Sequence, residues 1–298
     1  MRSFKIFLIV IGVLLLTAGG VMLAVSWKDG SFKVEETITN THNIEQDFDG
    51  VKIDVSVSNV EFKLASDNKC VVECVETENF KHSVSVVENK LVVKENDDRK
   101  WYNRYFLNWT TKRSVTITLP KNAYNDFEII LATGDIKLEQ EIKVNTLKVE
   151  TSTGDMYLSN IATDALNLRA STGDIKGENL EVYGDVATRT STGHVNFNGL
   201  TCKNFRHEST TGKIVLSGVV VDEKMSIETS TGDVKFNSCD AAEIEVSTST
   251  GDVTGSLLTG KRFETKTSTG DVDVPRTDGG LCTIKTSTGD IIITIVNK

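Results

Sequence analysis

Apolar residues in the second half of this chain fall into a pattern that renews itself around one glycine. The glycines are Gly134, Gly154, Gly173, Gly193, Gly212, Gly232, Gly251, Gly270 and Gly289, at intervals of 20, 19, 20, 19, 20, 19, 19 and 19 residues. Two residues after each stands an apolar side chain, from Ile136 and Met156 through to Val272 and Ile291. Seven residues before each the same holds, as in Phe127, Leu147, Leu166, Val186, Phe205, Met225, Ile244, Phe263 and Cys282. The fifth position before is apolar in six of the nine units. Alternation of period two marks half-buried strands, so each unit is predicted as strand, tight turn, strand, turn. Helix is excluded because no unit carries an unbroken 3.6-residue pattern and Thr, Val, Ile and Gly are weak helix formers.

Two short strands cannot bury an apolar face alone, whereas parallel stacking of successive units closes a continuous core. The predicted fold is therefore all-β: a single-stranded parallel β-solenoid (β-helix) of about nine 19–20-residue rungs, with an irregular β cap at its N-terminal end. At an inter-strand spacing of about 4.8 Å such a rod is roughly 40 Å long.

The repeated phrase is Thr-Gly-Asp, with Thr before all nine glycines and Asp after seven; His194 and Lys213 replace two. Glycine supplies the positive φ of a sharp corner, and flanking hydroxyls and carboxylates can bond freed backbone amides. A stacked row of carboxylates also suggests calcium bridging. The corner reading is preferred, because the spacing differs from calcium-binding nonapeptide solenoids and two successive rungs lack the Asp. In Thr-Ser-Thr, as at Thr151–Thr153, the first Thr continues the inward phase, which argues against an exposed ice-binding row. A polysaccharide-active β-helix enzyme would need inserted loops carrying a paired acid and base, and these rungs differ in length by at most one residue. His42, His82, His194 and His207 show no metal-binding spacing, and no nucleophile elbow or phosphate loop is present. No catalytic, cofactor-binding or metal-binding residue is assigned, and no enzyme activity or cofactor is expected.

The first half divides differently. Ile6–Val25 is an almost wholly apolar run of twenty after Arg2 and Lys5. Twenty helical residues span about 30 Å, the hydrocarbon thickness of a bilayer, and the flanking charges keep the N-terminus inside. The expectation is a single-pass transmembrane helix at 1–27 in the cell membrane, with everything beyond it extracellular. Ala24-Val25-Ser26 offers a signal-peptide cleavage site, but the run is longer than a usual signal core. Residues 28–46 read as a stalk, 47–126 as a β-rich capping segment and 127–298 as the solenoid. Within the cap, stretches beginning at Val51, Val60, Cys70, Leu91 and Val115 alternate as short strands. Five cysteines, Cys70, Cys74, Cys202, Cys239 and Cys282, form no Cys-x-x-Cys pair and read as buried thiols.

Residues 99–113 interleave Trp101, Tyr102, Tyr105, Phe106 and Trp109 with Arg99, Lys100, Arg104, Lys112 and Arg113. Such a segment either covers the first rung or docks to a membrane surface, a glycan or a protein. Net charge is −9, of which residues 127–298 hold −8 from 25 acidic and 17 basic residues. Nucleic acid is therefore not an expected partner. The final strand, Ile291–Val296, ends the chain apolar and without a following cap, which suggests end-to-end self-association.

The apolar N-terminal span, the lead-in ending at Leu119-Pro120 and the serial Ser-Thr-Gly-Asp-Ile/Val repeats together resemble the putative adhesin family of bacterial β-strand repeat proteins, which includes LiaG-like envelope proteins. The resemblance covers about residues 40–298. It implies a β-solenoid at the cell surface: a membrane-anchored scaffold or adhesin-like binding module whose partner is an envelope protein or glycan. The alternative it implies is an accessory protein of an envelope-stress signalling system acting through a membrane partner.

Overall fold

The computed structural model describes residues 2–28, 36–97 and 113–296. From residue 123 onward, strands rich in Val, Ile and Thr pair in parallel with their equivalents one unit away. Leu147 lies between Phe127 and Leu166, Leu166 beside Val186, Val186 beside Phe205, and Phe205 beside Met225. Each set of equivalent residues thus becomes one column through the rod, and this column is at most 2% exposed from Phe127 to Ile244. The result is a parallel β-solenoid of about eight turns, against about nine expected from the repeat.

The inner coils have three inward-facing segments, one more than the repeat predicts. A second corner falls six residues after the glycine at Asn160, Asn179, Gly199, Gly218 and Ser238, all with φ between 52° and 72°. Beyond it Ile161, Leu180, Leu200, Val219 and Cys239 point into the core. The corner varies among Asn, Gly and Ser, the small residues that tolerate left-handed backbone, and so carries no constant letter. Gaps in one column are filled from the next coil: a Cβ on Gly177 would lie 2.5 Å from the Phe197 ring.

The Thr-Gly-Asp corner stacks backbone directly on backbone. A Cβ on any of the nine glycines would lie 1.9–2.2 Å from a carbonyl oxygen of the neighbouring coil, and their φ values are 139–158°. Only glycine satisfies both demands. The Asp that follows accepts, through Oδ1, the backbone N–H at the equivalent position of the next coil: Asp174 N–H to Asp155 at 2.8 Å, His194 N–H to Asp174 at 2.8 Å. His194 continues the ladder with Nδ1, which accepts from the Lys213 N–H at 2.9 Å.

At the N-terminal end, β1 (Ile38–Ile44), β2 (Gly50–Val57), β3 (Asn59–Leu64), β4 (Cys70–Glu76), β5 (Phe80–Val87), β6 (Lys90–Asp97) and β7 (Ser114–Leu119) extend the rod. β2 and β3 form one more coil in the register of the repeat, with Val57 beside Thr133 and Val60 beside Ile136. Asn59 there takes the Asp role, its Oδ1 accepting from the Asp135 N–H at 2.9 Å. β6 and β7 continue the two sides in parallel, and antiparallel β5, β4 and β1 then close them. The five cap strands expected from alternation are present, joined by β1 and β5, which alternation does not mark; β1 lies in the stretch 28–46 that reads as a stalk. α1 spans Arg2–Lys28. Among the described residues no helix is long and apolar enough to cross a membrane. The crossing expected for Ile6–Val25 therefore rests on the sequence.

At the other end the last two coils are stacked in reverse chain order. Ile291–Ile295 pairs with Val253–Leu257 on one side and with Val272–Asp273 on the other, while Gly280–Lys285 lies between Ile244–Ser247 and Lys261–Lys266. The terminal strand expected to be bare is inside the stack. Ile291 is 0% exposed against 46% for Val272, so the more apolar coil takes the covered place and the charged one, with Arg262, Glu264 and Lys266, takes the edge. Lys261 fastens that outer coil: its buried Nζ donates to Asp240, the Ala241 carbonyl and Thr259, each at 2.7 Å.

Two outcomes are expected. Asp135→Asn keeps an acceptor for the Asp155 N–H, as Asn59 already does one coil earlier, and melts near wild type. Asp135→Ala loses about 1–3 kcal/mol; a cation bridge would instead make Asn as costly as Ala in denaturant melts. The second concerns His207, fully buried with Nδ1 2.8 Å from Thr188 Oγ1. Burial holds its pKa down at about 4, from 6.5. Between those values the unfolded chain takes up a proton that the folded one does not. Stability therefore falls as pH drops from 6.5 towards 4, by up to about 1.4 kcal/mol per pH unit, and His207→Leu flattens that slope.

Candidate functional site

Trp101, Tyr102, Tyr105, Phe106 and Trp109 lie outside the described residues. Arg113, the last cation of that segment, is 4% exposed. Its guanidinium sits 4.3 Å from the centroid of the Phe80 ring, and its carbonyl accepts from the Asn59 N–H at 3.1 Å. The exit of the aromatic and basic segment is thus tied to the first coil.

Beside it lies a buried polar cluster that no local pattern announced. Antiparallel pairing sets Asn40 opposite Cys74 and His42 opposite Val72, so one face of β1 meets the inward face of β4. That inward face runs Cys70, Val72, Cys74 and then Glu76, a carboxylate only 2% exposed. Glu76 Oε2 accepts from Asn40 Nδ2, and Oε1 accepts from the His82 backbone N–H at 2.6 Å and faces His82 Nδ1 at 3.1 Å. His82 reaches Ser58 Oγ through Nε2 at 3.3 Å. Burial lowers the His82 pKa more than Glu76 raises it, so the ring is neutral, with Nδ1–H donating to Glu76 and Nε2 accepting from Ser58. Ser58, His82 and Glu76 are in the order of a nucleophilic relay, but Ser58 is 2% exposed and its carbonyl is the surface on which Gly134 packs. The relay is internal wiring of the cap. His42, Cys74 and Glu76 also bring an imidazole nitrogen, a thiol and a carboxylate oxygen within 4.8 Å of one another. The one readable sign was Glu76 itself, which continues the inward phase of Cys70, Val72 and Cys74.

The rod faces supply the other surface. Two residues before six successive corners, Ser152, Ser171, Ser191, Thr210, Ser230 and Ser249 form an exposed hydroxyl row in register. Beside it, four residues before the corner, run Arg169, Arg189, Glu208 and Glu228. Arg189, Ser191, Glu208 and Ser230 help to line a shallow groove of about 260 Å³. The preceding Thr row is turned inward as parity requires: Thr151, Thr190, Thr229 and Thr248 are at most 5% exposed.

A family model described as Toastrack DUF4097 matches residues 48–294. Among solved structures, a "putative adhesin" from Bacteroides fragilis is similar with a TM-score of 0.55 at 16% identity, covering 87% of this chain and 97% of that one. A "putative adhesin" from Parabacteroides merdae has a TM-score of 0.41 at 13% identity, covering 86% and 96%. A "putative lipid binding protein" from Parabacteroides distasonis has a TM-score of 0.37 at 16% identity, covering 87% and 96%. No functionally curated protein matches the chain. At these identities the likeness is one of fold.

All five cysteines are buried and unpaired. Burial pushes the thiols of Cys70, Cys74, Cys202 and Cys282 up to about 12, and that of Cys239 upward. A buried, protonated thiol is closed to a bulky thiol-specific reagent. Titration of the native chain with a thiol-specific reagent should show no fast-reacting group, and labelling should appear only at the rate of unfolding.

Proposed function

The chain belongs to the Toastrack DUF4097 family, and from that footing we propose that it is a non-catalytic binding module of the cell envelope. The N-terminal helix is its anchor in the cell membrane, and the solenoid stands outside. The observation that carries this reading is the in-register repetition of exposed side chains along the rod. Hydroxyls and charges that recur through successive coils, about 4.8 Å apart, suit many weak contacts to an extended partner more than capture of one small molecule. The B. fragilis neighbour, itself a "putative adhesin", supports the same use of the fold. The anchor rests on the twenty-residue apolar run Ile6–Val25 and the basic residues before it.

The contact of highest affinity is assigned to Trp101, Tyr102, Tyr105, Phe106 and Trp109, since aromatic side chains among cations are the composition of interface anchors. Arg113, the last residue of that segment, packs against Phe80 of the cap. The partner class is an envelope protein or glycan. An accessory role beside a membrane-bound stress sensor is the second reading, and it uses the same anchor. End-to-end association, first expected of the last strand, passes to the outer strand Lys261–Lys266, whose Arg262, Glu264 and Lys266 oppose it.

Trp101→Ala and Trp109→Ala are expected to lower affinity for an envelope fraction by about tenfold or more while the melting curve stays at wild type. A lower melting temperature with binding retained would make the segment a lid on the first coil. Crosslinking from position 105 in living cells separates the partners: an envelope polymer or surface protein supports the module, and a sensor kinase supports the accessory role.

A further inference from the structure

The cap holds a set of donors whose chemistry goes beyond a binding rod. His42, Cys74 and Glu76 each bring one ligand atom within 4.8 Å of the other two. Cys74 is 0% exposed and forms no disulfide. The His42 Nε2 is buried and makes no hydrogen bond among the described residues. A desolvated imidazole nitrogen left without a partner is unusual, and here it stands beside a thiol and a carboxylate.

We propose that His42, Cys74 and Glu76 bind a divalent transition metal of the zinc type, with a fourth position open to an exogenous ligand. One nitrogen, one sulfur and one oxygen make a borderline donor set, which favours zinc over the oxygen-only preference of calcium or magnesium. A tetrahedral zinc site has ligand-to-ligand edges of about 3.3–3.7 Å, which follow from metal–ligand bonds of roughly 2.0–2.3 Å. Rotation of the partly exposed His42 side chain and of the Cys74 thiol can close the difference from the present separations while Glu76 keeps its hydrogen bonds.

The surroundings of Glu76 fit the role. A carboxylate has about four lone-pair sites. Oε1 serves the His82 backbone N–H and ring Nδ1, and Oε2 serves Asn40, which leaves one direction at Oε2 free. His82 is held in turn by Ser58. Hydrogen bonds of this kind orient a ligating carboxylate. A metal here would join β1 to β4, stapling the edge strand that follows α1 to the closed end of the rod.

The test uses the tag-free full-length chain with cobalt(II) and zinc(II) as probes. The expected result is uptake of one equivalent of cobalt with a thiolate-to-metal charge-transfer band, lost in Cys74→Ser. Asn40→Ala, which touches no metal, is expected to weaken zinc binding by about 10–100-fold. His42→Ala, on a partly exposed edge strand, is expected to weaken it at least as much and to abolish the zinc-dependent rise in melting temperature. Its metal-free melting curve should match wild type. Failure of the wild-type chain to take up either metal overturns the proposal. So does binding that survives unchanged in both His42→Ala and Cys74→Ser, or an equal zinc-dependent rise in His42→Ala.

Discussion

Everything in this molecule depends on the close approach of backbone to backbone at one corner. Nine glycines rest on the carbonyl oxygens of neighbouring coils at a distance where a single added carbon would lie 1.9–2.2 Å from oxygen. That contact leaves no freedom for slippage. A shift by one residue would bring a Thr or Asp side chain into the space and turn every apolar column to solvent. The carboxylates that follow most of these glycines reinforce the same register, because each accepts from the N–H at its own position in a neighbouring coil. Stacking a row of acids would be unfavourable on charge alone, and the backbone N–H bonds offset it.

Register fixed at the corner determines the interior. The columns need not be uniform, because a large residue in one coil can occupy the space a small one leaves in the next, as Phe197 does over Gly177. Polar groups enter the columns on the same terms. Thr188 and His207 replace aliphatic residues at two successive levels and bond to each other. Both open ends are then managed differently. The N-terminal end changes from parallel to antiparallel pairing and closes on β1 and β5. The C-terminal end sends its most apolar coil inward and leaves the charged coil outside.

The cap is where the rule of apolar columns gives way. Glu76 and His82 occupy inward places and are kept by bonds to Asn40, Ser58 and each other. Such a network is stable only when its members are satisfied. It also explains why β1 is hard to read: Asn40 and His42 stand where alternation would place apolar side chains, because they serve the cluster and not the core. Arg113, the last residue of the aromatic and basic segment, packs on Phe80, whose ring meets His82 of this cluster.

Sequence by itself determined the solenoid, its corner and the inward parity of Thr151 and its equivalents, because glycine geometry and period-two alternation are local and repeat without interruption. It also marked five of the seven cap strands by alternation alone. Tertiary structure decided what lies beside what. The coil formed by β2 and β3 carries Ser58-Asn59 in place of Gly-Asp and stands 76 residues from its partner corner, too far for any short period to reveal. The last two coils bear the same phrase, so nothing local distinguishes their order; burial of Ile291 and Ile293 in preference to Val272 did. Likewise His42, Cys74 and Glu76 have no telling spacing. Antiparallel pairing of a polar edge strand brings them together, and such pairing depends on which surfaces remain uncovered once the rod has formed.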